Sequence, residues 1–137
     1  MKKQIKDTEE LSTMFWRNFE CEICKYAYPY LFKVNQKIYK LVDINKPASG
    51  HFMVLESLPL EKNSSRTIHV LRFSNNRKTF KMGRGHESEV RVSDISVSRT
   101  HAIIRYQYDG IFISDNSSKF GTLVLVRDEE LSLTSEQ

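Results

Sequence analysis

Arg84, Ser98, Arg99, Thr100 and Lys119 are the side chains in this 137-residue sequence whose types and grouping suggest chemistry. Arg84 follows Gly83, and Ser98 opens the run Ser98-Arg99-Thr100-His101. Both groups fall in turn-like sequence at the two ends of a short strand, where Val90 and Val92 alternate with Arg91 and Ser93. Lys119 lies in a third turn-like stretch, "SSKFGT". A guanidinium offers a rigid fork of N–H donors that matches an oxyanion, and hydroxyls and an ammonium add further donors. With no carboxylate pointing in, such a set suits a phosphate dianion. Each charge-assisted hydrogen bond would contribute about 1.5–3 kcal/mol.

These residues can act together only if their loops converge. The ends of one strand lie at opposite ends of a sandwich unless a loop folds back. The stretch "RGHESE" is long enough to do so. The elements around it read as short strands: "HFMVLESL", "TIHVLRF", "TFKM", "EVRV", "HAIIRYQY", "IFISD" and "GTLVLV". The Asp109-Gly110 step between alternating runs is the strongest hairpin signal in the chain. "LFKVNQKIYKLVDI" reads as strand around an Asn-Gln turn, and "NKPASG" as a loop. "SNNRK" reads as a hairpin turn, its Asn pair tolerating positive φ, with "TFKM" pairing back onto "TIHVLRF". Many short strands without intervening helices predict a mainly β chain, a β-sandwich.

The N-terminal part differs. Asp7 is followed three residues later by Glu10, a capping-box-like start, and Leu11, Met14, Phe15 and Phe19 recur at helical spacing. The spacing predicts a short helix from about Thr8 to Phe19. The aromatics Tyr26, Tyr28, Tyr30 and Phe32 are then expected to pack against it. The expected organisation is a helical, cysteine-bearing segment over 1–33, a sandwich over 34–130 and a polar tail over 131–137.

Composition excludes several classes. The apolar fraction of 39% is enough for a core, but the longest apolar runs are a few residues, far short of the ~20 that cross a bilayer. No secretory signal pattern is present at the start. The net charge of +4 is spread along the chain, so a nucleic-acid partner is not expected. The two cysteines form one C-x-x-C, which is not a secreted disulfide framework and points to a reducing, intracellular compartment. No G-x-x-G continues "GRG", so a dinucleotide fingerprint is absent. No Ser-His-Asp arrangement has support beyond residue types, so no enzyme is expected.

The run "MGR…VSRTHAIIR…DGIFISDNSSKFGT" resembles the forkhead-associated (FHA) domain. That family carries a Gly-Arg pair, an S-x-x-H group and a D-x-x-S-x-N-G-T stretch in this order. The matching residues are Gly83 and Arg84, Ser98 and His101, then Asp115, Ser118, Gly121 and Thr122. The resemblance implies a β-sandwich that binds phosphothreonine peptides through loops at one end. Arg84 and Ser98 would bind the phosphate, and Arg99, Thr100 and Lys119 would assist. His101 would tie the loop down, and Gly83 and Gly121 would supply backbone freedom or close approach. The sequence departs from the family at Phe120, which replaces an Asn that holds the peptide backbone. It also leaves room for little more than one strand after Gly121-Thr122, so the sandwich is expected to lack its last strands and to present an open edge.

Cys21 and Cys24 have the spacing of a zinc-ligand pair. A structural zinc needs four ligands, and no second C-x-x-C or spaced His pair follows. The segment "FWRNFECEICKYAYP" is similar to the end of a RING-CH (RING-variant) zinc domain. This resemblance implies that Cys21 and Cys24 belong to a zinc set completed only by ligands from outside this chain. Three functions follow. The first is recognition of a phosphothreonine-containing protein. The second is docking on a scaffold protein by a degenerate FHA fold. The third is a fragment of a RING-CH-type ubiquitin ligase.

Overall fold

A computed structural model describes residues 3–17, 19–29, 31–40, 44–58 and 65–125. The chain divides into two compact units: Met1–Phe80 with Arg105–Phe112, and Lys81–Ile104 with Ile113–Gln137. Among the described residues there are ten strands and no helix: β1 Lys3–Asp7, β2 Leu11–Trp16, β3 Leu31–Val34, β4 Lys37–Lys40, β5 His51–Glu56, β6 Arg66–Phe73, β7 Thr79–Gly83, β8 Val90–Arg91, β9 Ala102–Gln107 and β10 Gly110–Asp115. They form a sheet of order β1-β2-β6-β5, a sheet of order β10-β9-β7-β8, and the hairpin β3-β4. This is a mainly β, several-sheet architecture, consistent with the expected FHA-like β-sandwich.

The predicted N-terminal helix is a strand. β2 pairs antiparallel with β6, placing Met14 opposite Ile68, Thr13 opposite His69 and Leu11 opposite Leu71. Met14, Trp16, Ile68 and Val70 form one buried cluster, joined by Ile44 and Val54. Thr13 on the other face is also buried, and its Oγ1 lies 3.0 Å from His69 Nδ1. Burial on both faces erases the two-residue alternation that marks a half-buried strand. The stretch read as a helix cap instead turns the chain from β1 into β2. The Leu11 N–H donates to Thr8 Oγ1 (3.1 Å) and the Thr8 N–H donates to the Leu11 carbonyl (2.8 Å), a tight turn between β1 and β2. A side-chain oxygen accepting an N–H three residues on serves a turn as well as a helix cap.

With no helix to cover them, Tyr26, Tyr28 and Phe32 are exposed, while Tyr30 lies outside the described residues. Phe19, Tyr28, Pro29 and Phe32 line an open apolar pocket. Asn35 and Gln36 both take positive φ in the two-residue turn between β3 and β4, as the sequence leads one to expect. In the β9–β10 hairpin the positive-φ pair is Tyr108 and Asp109, one residue before the Asp109-Gly110 step.

Two further expectations change. Backbone bonds between Ser74 and Arg77 close a turn around Asn75 and Asn76, but neither Asn has positive φ. β6 and β7 fall in different sheets, so "TFKM" does not pair back onto β6. Residues 121–125 of the expected strand "GTLVLV" are not strand; Val126 lies outside the described residues. Leu123 is 97% exposed: β propensity alone does not make a strand where the segment joins no sheet. β10 is one of the two edge strands of its sheet, and Phe112 and Ile113 on it are exposed. The expected polar tail, 131–137, lies outside the described residues.

Candidate functional site

The loop after β7 folds back. Val90 and Arg91 run parallel to β7, with Met82 opposite Val90 and Gly83 opposite Arg91. The Val92 N–H donates to the Gly83 carbonyl at 3.0 Å. The two ends of the "RGHESE" loop therefore lie side by side.

The Arg84 N–H donates to the Ser98 carbonyl (3.1 Å), and the Gly85 N–H to the Arg99 carbonyl (2.9 Å). These bonds bring the Gly83-Arg84 and Ser98-Arg99 segments into contact. Gly83 makes this possible: a Cβ there would overlap the Arg99 carbonyl. Ser88, buried in the intervening loop, donates its hydroxyl to the same carbonyl at 2.8 Å.

A third segment joins them. The Lys119 N–H donates to Ser98 Oγ at 3.1 Å, which leaves the Ser98 hydroxyl hydrogen available to a ligand. Asn116 Nδ2 donates to the Thr100 carbonyl (3.2 Å), and the Asn116 N–H to the His101 carbonyl (2.8 Å). His101 spans two segments. Its Nδ1 accepts the Ser98 N–H (3.2 Å), so the ring proton sits on Nε2 and donates to the Gly121 carbonyl (3.1 Å). Gly121 has φ +77°, a left-handed conformation that favours glycine.

Asp115 organises the third segment. Its Oδ1 accepts the Ser118 hydroxyl (2.5 Å) and the Thr122 hydroxyl (2.8 Å), while Oδ2 accepts the Ser118 N–H (3.0 Å). These bonds, the Ser118 hydroxyl foremost, pull its carboxyl down to about 2. The carboxylate is thus turned into its own loop.

Arg84, Arg99 and Lys119 are exposed. Among the described residues neither guanidinium has a hydrogen-bond or ion-pair partner. The Lys119 ammonium sits 5.1 Å from the centre of the Phe120 ring. The three segments thus gather Arg84, Ser98, Arg99, Thr100 and Lys119, with a net positive charge and an uncommitted hydroxyl. Gly85, Ser88 and Asn116 are supports that the sequence did not reveal. Asn116 sits in a turn-like stretch that could have flagged it. Ser88 acts on a residue 11 positions away, which leaves no local signal.

Cys21 and Cys24 occupy a separate tight turn. The Cys21 N–H donates to the Tyr26 carbonyl and the Lys25 N–H to the Cys21 carbonyl, both at 2.9 Å, and Lys25 takes φ 57°. Hydrogen bonds to its sulfur from the backbone N–H groups of Cys24 and Ile23 lead in drawing the Cys21 thiol down to about 7. Among the described residues no three or more His, Cys, Asp or Glu side chains gather to hold a metal. Two thiols do not complete a structural zinc site.

Residues 80–134 match the FHA domain. The match takes in all three converging segments and does not reach the cysteine turn. It supports a phosphopeptide-binding protein-interaction module. Comparisons with curated proteins and with solved structures return no match.

Proposed function

We propose that the FHA-matching part of this chain recognises a phosphothreonine-containing segment of a partner protein, without catalysis. Arg84 and Ser98 bind the phosphate, and Arg99, Thr100 and Lys119 assist. Gly83, His101 and Gly121 hold the loops that carry them. The observation that supports this most is the joining of the three segments at Ser98. Its carbonyl takes the Arg84 N–H and its Oγ takes the Lys119 N–H, both at 3.1 Å. A guanidinium, a hydroxyl and an ammonium on neighbouring loops, with the nearby Asp115 carboxylate already committed, favour a dianion over a neutral ligand. The two free cysteines suit a reducing, intracellular setting.

Fluorescence titration with matched phosphothreonine and unphosphorylated peptides tests the reading. Binding should require the phosphate. Arg84→Ala should weaken it roughly ten- to a hundredfold, from losing about 1.5–3 kcal/mol. Unchanged binding in a folded Arg84→Ala protein would overturn the assignment.

A further inference from the structure

We infer that Phe120 is a specificity-determining residue, selecting partners that carry an apolar side chain close to the phosphothreonine. The inference rests on the phosphothreonine reading. It starts from the position of the ring. Phe120 follows Lys119, whose N–H touches Ser98 Oγ at 3.1 Å. The ring is 65% exposed in a loop pinned at both ends. Asp115 bonds to Ser118 and Thr122 on either side of it, and the Gly121 carbonyl accepts from His101. A large apolar surface is therefore held still beside the anion site, at little further conformational cost to a ligand that covers it.

The chemistry of that surface decides what it can read. A phenyl ring has neither donor nor acceptor for a peptide backbone. It offers area to an aliphatic or aromatic side chain. The Lys119 ammonium lies against this ring, 5.1 Å from its centre. A positive charge there disfavours a basic ligand side chain at the same spot. Phe120 Cα is one residue beyond the N–H that marks the phosphate position. An extended peptide advances roughly 3.3 Å per residue. The ring thus reaches ligand residues about one to three positions from the phosphothreonine. Covering it should favour an apolar residue over a small polar one by about tenfold.

The test uses the full chain and phosphothreonine peptides in which each of the positions about three either side of the phosphothreonine is varied in turn. Leu or Phe is compared with Ser, Asp and Lys. Wild-type protein should prefer Leu or Phe at one of these positions by about tenfold and disfavour Lys there. Phe120→Ala should flatten the preference to about twofold or less while leaving the requirement for phosphate intact. Phosphate-dependent binding with no apolar preference overturns this inference and leaves the phosphothreonine reading standing. So does a preference that survives Phe120→Ala. Absence of phosphate-dependent binding to any peptide overturns both.

Discussion

Ser98 Oγ accepts the backbone N–H of Lys119 at 3.1 Å, across 21 positions of sequence. One hydroxyl both fastens the Lys119 loop and keeps its own hydrogen to donate. Ser98→Ala should therefore act twice. It removes a ligand donor and frees the Lys119 amide. Phosphopeptide affinity should fall at least tenfold. Amide exchange at Lys119 should speed up, while Ser98→Thr keeps both properties near wild type.

Gly83→Ala tests the contact that brings the first two segments together. A methyl group at Gly83 overlaps the Arg99 carbonyl. The backbone must separate, loosening the Arg84–Ser98 and Gly85–Arg99 bonds. We expect a loss of about 1–3 kcal/mol in urea unfolding together with weakened phosphopeptide binding. Gly121→Ala meets open space, and its cost is conformational, from φ +77°. It should destabilise by about 1 kcal/mol.

His69 and Asp115 both contribute to the acid response. Burial holds the His69 imidazole below its ordinary 6.5. As pH falls through 6.5, the unfolded chain takes up a proton that the folded chain does not. Stability should therefore decline below about 6.5 until the folded imidazole also protonates. His69→Gln should remove that slope. The Asp115 carboxyl is lowered from 3.8 to about 2, so its contribution is present above 3.8 and lost as pH falls towards 2. Denaturant melts across pH for Asp115→Asn should lack this second step.

Removing residues 1–17 should unfold the sheet they enter. β2 lies between β1 and β6 and buries Leu11, Met14 and Trp16. Each such side chain contributes about 1.5–3 kcal/mol, together roughly the whole net stability of a domain. Circular dichroism of the truncated chain should show no cooperative melt at 25 °C and above.

Metal analysis addresses the cysteine turn. Two thiols with no further ligand gathered beside them among the described residues should lose zinc to a mild chelator. A stoichiometric zinc that survives dialysis would mean that a second copy or another segment closes the site.

Much of the candidate site was read through the resemblance to the FHA pattern, whose motifs are local. Asp115, Ser118 and Thr122 bond within eight residues of one another, and Ser98 and His101 within four. Contacts this local fall within a single motif. Turns at Asn35-Gln36 and near Asp109 were legible because Asn and Asp tolerate positive φ, although Gln36 and Tyr108 take it as well. Other features depended on partners far away in sequence. Residues 11–16 carry helical spacing, yet pairing with β6 and burial on both faces make them a strand. β7 follows β6 in sequence but enters another sheet. Residues 121–125 have strand-forming side chains, yet they join no sheet. Convergence of the Arg84, Ser98 and Lys119 loops was the decisive case. Loop length permitted it, but it was decided by the parallel return of β8 beside β7, and by the missing Cβ of Gly83 that admits the Arg99 carbonyl. Backbone hydrogen bonds between distant segments form only once the chain is folded, and no residue type encodes its distant partner.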